Sequence, residues 1–163
     1  MEKKYFDTQM MEKALEEAQK AFEAGEVPVG AILLHQGKII AQAHNQMESR
    51  KDPTAHAELL VIRHGAQALG DWRLLETTLY TTLEPCLMCA GALLLSRVGR
   101  IVYGAPDLRH GAHGSFLDAF SPKHPTHTPQ IEGGVLQEES ADLLRQFFKN
   151  QRMKHETVTG SPL

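Results

Sequence analysis

Cysteine is scarce in this chain. Its 163 residues include only two, Cys86 and Cys89. A disulfide between residues so close would shut a trivial loop, so a disulfide-stapled secreted scaffold is excluded. The pair points instead to metal binding or redox chemistry in a reducing compartment. Long apolar runs are missing as well. The longest, near Cys86 to Leu95, falls well short of the roughly 20 residues that a membrane span needs. The N-terminus, Met1 to Asp7, is charged and leads into no apolar stretch of the kind a signal peptide carries. Nor is there an excess of positive charge, since the formal net charge is −3. The expectation is a soluble, cytoplasmic chain with no membrane partner.

What is present suffices for one core. With 42% hydrophobic and 23% charged residues, the chain can bury a core without staples but is too short for two ordinary domains. A single domain over residues 1–163 is expected, frayed from about residue 154 to 163. The charge is distributed unevenly. Residues 1–26 carry seven acidic and four basic side chains, and the remainder is balanced. Within that remainder Arg145, Lys149, Arg152 and Lys154 form an acid-free basic run up to His155. Such a run can equally be a solvated helix face or a nucleic-acid contact.

Periodicity supplies the order of elements. Met10, Met11, Ala14, Leu15, Ala18, Ala21 and Phe22 recur at helical spacing behind Asp7 or Thr8 as cap, and Gly25 and Pro28 end that helix. Val29–Leu34 and Ile39–His44 read as strands around the hairpin turn at His35–Lys38. After a polar loop, Asp52 caps a helix with Pro53 in its first turn that runs to about Leu69, where Gly70 stops it. Thr78–Thr82 is a strand, and Pro85 opens a helix from Cys86 to about Arg97. That helix is apolar nearly all round, so both its faces should be covered, with a second subunit one candidate for the cover. Ile101–Tyr103 and Ile131–Leu136 are further strands, with a short amphipathic piece at Ser115–Phe120 between them. Glu138 to about Met153 is a final amphipathic helix. Alternation of this kind predicts a three-layer α/β domain around a five-stranded mixed sheet.

Two strand-then-helix units bring the chemistry. One carries His56 and Glu58 in Thr54-Ala55-His56-Ala57-Glu58. The other carries Cys86 and Cys89 in Glu84-Pro85-Cys86-Leu87-Met88-Cys89. Helix N-termini favour thiolate over thiol, because free N–H groups and the positive end of the dipole lie there. His56, Cys86 and Cys89 are three ligands, whereas structural zinc normally takes four and catalytic zinc leaves a position for water. Glu58 is placed near the metal but not necessarily on it. Zinc lowers the pKa of bound water toward about 7, and Glu58 can take the water proton and return it to an expelled nitrogen. Hydrolytic deamination suits that set. A structural zinc, or a redox Cys-x-x-Cys beside an unrelated His-x-Glu, stays open on the residues alone.

His56-Ala57-Glu58 followed by Pro85-Cys86-Leu87-Met88-Cys89 resembles the zinc-dependent cytidine/deoxycytidylate deaminase superfamily. Longer strings are similar to its bacterial tRNA adenosine deaminases: Val27–Ala31, His44-Asn45, Asp52–Glu58, Thr82–Cys86, Cys89–Ala92, Ser96-Arg97, Gly111-Ala112, Gly114-Ser115 and Phe147-Phe148. The resemblance covers all but the extreme termini. It implies the three-layer cytidine deaminase-like fold and a homodimer that converts adenosine to inosine at the wobble position of a tRNA anticodon stem-loop. It implies one Zn2+ per chain on His56, Cys86 and Cys89, with Glu58 as proton shuttle. Asn45 would hydrogen-bond the flipped base and Val29 would line its pocket. Asp107 and Phe148 would meet the anticodon loop, with Arg145, Lys149 and Arg152 as phosphate contacts. Arg109 departs from the family, which often has Lys there, and His110 and His113 stand where smaller residues are common. The rivals are a deaminase of a free base such as cytosine or guanine, and a zinc-stapled RNA-binding module without chemistry.

Overall fold

The computed structural model describes residues 1–159. Its sheet is built from β1 (Gly30–His35), β2 (Lys38–His44), β3 (Thr77–Leu83), β4 (Arg100–Ala105) and β5 (Gln130–Glu132), in the spatial order β2-β1-β3-β4-β5. β1 is antiparallel to both β2 and β3, whereas β3, β4 and β5 run parallel. The mixed sheet expected from the sequence is therefore present. The helices are α1 (Glu2–Glu23), α2 (Met47–Arg50), α3 (Ala57–Leu69), α4 (Leu87–Leu95) and α5 (Gln137–Thr159).

Side chains alternate across the sheet with period two and sort into two cores. Ala31 and Leu33 of β1, Leu79 of β3 and Ile101 of β4 pack with Leu60, Val61 and Leu93 under α3 and α4. Their sequence neighbours Ile32, Leu34, Tyr80 and Val102 pack with Met11 and Ala14 of α1 on the opposite face. Because β1 is buried on both faces, it reads as a continuous apolar run rather than an alternating one. Gly30 lets α1 approach closely: a Cβ there would lie 2.1 Å from the Ala14 carbonyl oxygen. α5 packs beside α1, where Phe147 meets Phe22 edge-on with ring centroids 5.9 Å apart.

Several boundaries differ from the sequence reading. α1 begins at Glu2, and Asp7 is no cap. Asp7 is buried instead, accepting hydrogen bonds from the Tyr80 hydroxyl at 2.6 Å and from both terminal nitrogens of Arg100 at 2.8 and 2.6 Å. α3 starts at Ala57 with His56 as its N-cap residue, not at Pro53. Asp52 instead closes a turn onto Thr54, accepting from its N–H at 2.8 Å and its hydroxyl at 2.6 Å. Ser115–Phe120 forms turns and no helix. β5 is confined to Gln130–Glu132, since Gly133 and Gly134 weaken its continuation. α5 runs on to Thr159, so the expected frayed tail is helical over residues 154–159, and residues 160–163 lie outside the described residues. α4 is apolar as expected, yet Leu87, Met88 and Leu95 are exposed on this chain. No helix among the described residues is long and apolar enough to cross a membrane.

Candidate metal centre and substrate groove

The topology sends several strand ends to one edge of the sheet. Gly30, which opens β1, pairs with His44 at the end of β2. Ala31 pairs with Thr81 near the end of β3, and Leu83 of β3 pairs with Ala105 at the end of β4. The segments that leave this edge hold Val29, Asn45, Glu84 to Cys89, and Asp107. Residues far apart in sequence thus share one end of the sheet, the usual place for a site in such folds.

His56 and Cys86 occupy the N-cap positions of α3 and α4, both in extended backbone conformation. The His56 Nδ1 lies 3.6 Å from the Cys86 Sγ and 3.5 Å from the Cys89 Sγ. Tetrahedral bonds of about 2.05 Å to nitrogen and about 2.3 Å to sulfur would separate those two atoms by about 3.6 Å. Both separations therefore match a tetrahedral metal ion, and all three ligand atoms lie within 4.8 Å of one another. Among the described residues, His56, Cys86 and Cys89 are the group of His, Cys and carboxylate side chains whose ligand atoms cluster closely enough to hold one. Among the described residues no fourth protein ligand completes the cluster.

The electrostatics match. A hydrogen bond from Cys89 holds the Cys86 thiol down at about 4, with His56 helping and burial opposing. The Cys89 thiol is pushed up by that same bond to Cys86, by burial and by the neighbouring Glu58 carboxylate. Hydrogen bonding to Cys86 raises His56, against the effect of burial. A cation among these groups lets both sulfurs carry charge at once.

Glu58 is on α3 but off the ligand set. It is buried; Thr81 Oγ1 donates to its Oε1 at 3.0 Å, while Oε2 lies 3.7 Å from the Cys89 Sγ. Burial raises its pKa, and its own backbone N–H and His56 pull the other way. A carboxyl of raised pKa beside a metal centre is suited to accepting and returning a proton. Asn45 is 4% exposed, and its Oδ1 accepts the Ala57 N–H at 2.8 Å. That bond fixes the amide orientation and leaves the Asn45 amide nitrogen as a donor toward the cavity.

The cavity over this centre measures about 1750 Å³. Val29, Asn45, His56, Glu58 and Cys86 form its floor, and Asp107 to His110 with Phe116 form one wall. Leu144, Arg145, Phe148, Lys149, Arg152 and His155 of α5 form another. The site residues expected from the sequence all line it except Cys89, which is buried beneath. Two expectations change in detail. Arg145 is paired with Asp142 and Glu138 of its own helix, so it is less available than Lys149 and Arg152. Asp107 uses Oδ1 to accept the N–H groups of Arg109 and His110, at 3.1 and 3.2 Å, and so shapes its own loop. His113 faces inward, with its Nδ1 2.8 Å from the Tyr103 hydroxyl. Sequence reasoning assigned no part to Thr81 or Glu84. A charged residue directly before Pro85-Cys86, between a strand and an apolar helix, was the one available signal for Glu84.

Residues 4–105 match the family described as "Cytidine and deoxycytidylate deaminase zinc-binding region". The chain belongs to this deaminase family. Among curated relatives, the tRNA-specific adenosine deaminase of Bacillus subtilis (strain 168) is 47% identical over 148 residues, covering 91% of this chain and 92% of that protein. Its counterpart in Haemophilus influenzae is also 47% identical, covering 90% of this chain and 86% of that one. The chain spans only 12% of a longer relative, the chloroplastic tRNA(adenine(34)) deaminase of Arabidopsis thaliana, at 47% identity over 91% of its own length. A solved structure from work on A-to-I editing by tRNA:A34 deaminases superposes with a TM-score of 0.81 at 45% identity, covering 84% of this chain and 99% of that one. A guanine deaminase from Nitrosomonas europaea superposes with a TM-score of 0.73 at 25% identity, covering 86% and 83%. The chain is thus similar to proteins named for a tRNA and to one named for a free base.

Proposed function

We propose that this chain deaminates adenosine to inosine at the wobble position of a tRNA anticodon loop, using one zinc ion held by His56, Cys86 and Cys89. When bound, zinc supplies a water acidic enough to be ionised near neutral pH. Glu58 takes the water proton and returns it to the departing amino nitrogen, held in place by Thr81. The Asn45 amide nitrogen donates to the flipped base, and Val29 packs against it. Phe148 stacks on the RNA, while Lys149 and Arg152, with a smaller share from Arg145, meet phosphates.

One observation supports an RNA substrate over a free base. The cavity continues without a break from the metal centre to the aromatic and basic face of α5, and its 1750 Å³ exceeds the roughly 300–1,000 Å³ of small-molecule pockets. A free base needs no such extension. An anticodon loop does, and its bases are already splayed for extrusion. Self-association through the exposed Leu95 of α4 fits the same reading, with Leu87 and Met88 left lining the groove, as does a reducing cytoplasm in which both cysteines stay reduced.

The test is incubation of zinc-loaded protein with an anticodon stem-loop carrying adenosine at the wobble position, followed by nucleoside analysis. Inosine is the expected product. Turnover of cytosine or guanine with no inosine would instead support the free-base activity to which the likeness to a guanine deaminase points.

A further inference from the structure

Glu84 is 1% exposed and lies between the end of β3 and Pro85. Its carboxylate faces the segment that follows β4 rather than the metal centre. Oε1 accepts the Asp107 N–H at 3.1 Å and the Ser115 hydroxyl. Oε2 accepts the N–H groups of His113 at 2.8 Å and Ser115 at 3.4 Å. Two backbone bonds reinforce the junction: the Glu84 N–H to the Ala105 carbonyl and the Ala112 N–H to the Pro85 carbonyl, each 2.8 Å. Gly111 packs so tightly on the carboxylate that a Cβ there would lie 2.3 Å from Oε2. One side chain therefore gathers both ends of the loop. Between those ends, Leu108, Arg109 and His110 project into the groove, and Phe116 follows just beyond them.

We propose that Glu84 is a positioning residue that sets residues 106–116 as the substrate-recognition wall against the metal centre, and so governs RNA binding rather than the chemical step. The proposal rests on the RNA-deaminase reading above. The physical reason is that three backbone donors and a hydroxyl converge on an acceptor-only group. Such bonds are about twice as strong as neutral ones, and donors left buried without a partner are costly. Glu84→Gln keeps the volume but puts an amide NH2 where an acceptor is needed. If that NH2 takes the Oε2 position, the N–H groups of His113 and Ser115 face a donor. If it takes the Oε1 position, the Asp107 N–H does. Either way the loop is released, and the substrate must order it on binding.

The expected result for zinc-loaded Glu84→Gln is a KM for the stem-loop raised roughly ten- to a hundredfold, with kcat per bound zinc within about threefold of wild type. Ser115→Ala removes one donor without touching a neighbour of Cys86, and should raise KM about fivefold. A merely structural role would lower kcat and zinc content together and leave KM unmoved. Hydrogen exchange on the protein alone gives an independent readout. Amides within 106–116 should exchange at least about tenfold faster in Glu84→Gln, while those of α4 keep their protection. Unchanged exchange in that loop, or an unchanged KM in either variant, overturns the proposal. Should Glu84→Gln fail to fold, Ser115→Ala decides by the same two measurements. If wild type makes no inosine, the RNA reading falls, and exchange still decides whether Glu84 holds the loop.

Discussion

Replacing Glu58 by glutamine separates chemistry from binding at this centre. The substitution is close to isosteric and sits in a buried site, so packing changes little. Thr81 Oγ1 donates to Glu58 Oε1 at 3.0 Å, and a glutamine carbonyl can accept that bond unchanged. The amide group then lies where Oε2 lies now, 3.7 Å from the Cys89 Sγ, and cannot carry a proton. Glu58 supplies no ligand atom to the His56, Cys86 and Cys89 cluster, so zinc content should stay near one per chain. Loss of a positioned proton carrier typically costs about 10²–10⁴ in rate, or about 2.7–5.4 kcal/mol of transition-state stabilisation. The variant should therefore bind the stem-loop with a Kd within about threefold of wild type, since binding contacts persist, and form inosine at least about a hundredfold more slowly. Thr81→Val, which only frees the carboxylate to wander, should lose about tenfold. The assay is single-turnover inosine formation with metal analysis on the same sample. A Glu58→Gln variant with zinc bound and activity within tenfold of wild type would refute the shuttle role. Loss of zinc would show that the carboxylate belongs to the ligand set.

Three further outcomes are expected. Lys149→Ala and Arg152→Ala should each weaken stem-loop binding and flatten its log–log salt dependence by about 0.7 per lost phosphate contact; Arg145→Ala should do less, because Asp142 and Glu138 already neutralise that guanidinium. Asp7→Asn should lower stability at neutral pH by about 2–3 kcal/mol, read by urea titration, since it breaks a largely buried ion pair. Burial would raise Asp7, but hydrogen bonds from Arg100 and Tyr80 outweigh it and hold the carboxyl below its ordinary value of 3.8. Its contribution is thus full above that value and lost as pH falls through the lower folded one, so wild type and variant should converge in acid. Leu95→Asp, at a residue 69% exposed on the apolar α4, should shift the chain toward monomer in a sizing experiment if that face meets a second copy; an unchanged elution volume would exclude α4 as the contact.

The parts of this site that were legible in the sequence are those set by local rules. His56, Glu58, Cys86 and Cys89 follow strands and open helices, so spacing and helix N-terminal chemistry sufficed to group them. The β1–β2 hairpin was equally local, with Gln36 and Gly37 at positive φ in a two-residue turn. Asp7 shows where local rules stop. A polar residue ahead of an apolar periodicity looks like a cap, yet its partner Arg100 lies 93 residues away. A buried ion pair across that span leaves no mark on either segment. The amphipathic piece at Ser115–Phe120 became turns for a related reason, as the end of a loop that follows β4. Three of that loop's backbone N–H groups, those of Asp107, His113 and Ser115, are held by Glu84, a side chain from another element.

The same division separates what decides the chemistry from what decides the substrate. The metal centre is formed by the first turns of α3 and α4, which the sheet holds side by side, and a relative that acts on guanine shares this fold. Nothing in His56, Glu58, Cys86 or Cys89 distinguishes an RNA from a free base. Discrimination has to come from the walls: the loop after β4, pinned by Glu84, and α5, which reaches the groove only because it docks on β4 and α1. The loop meets the metal-bearing segment at Glu84-Pro85-Cys86, through the Glu84 carboxylate, the Ala112 N–H to the Pro85 carbonyl and a backbone bridge between Gly111 and Cys86. A change at Leu108, Arg109 or His110, away from that junction, can therefore alter which substrate is held without disturbing the ligands. At Glu84 the carboxylate turns to the loop and away from the ligands, so its replacement is felt in the loop first. Selectivity and catalysis are thus built from separate elements that meet at one short junction, and Glu84, whose carboxylate serves the loop side of it, is the position where the two can be pulled apart experimentally.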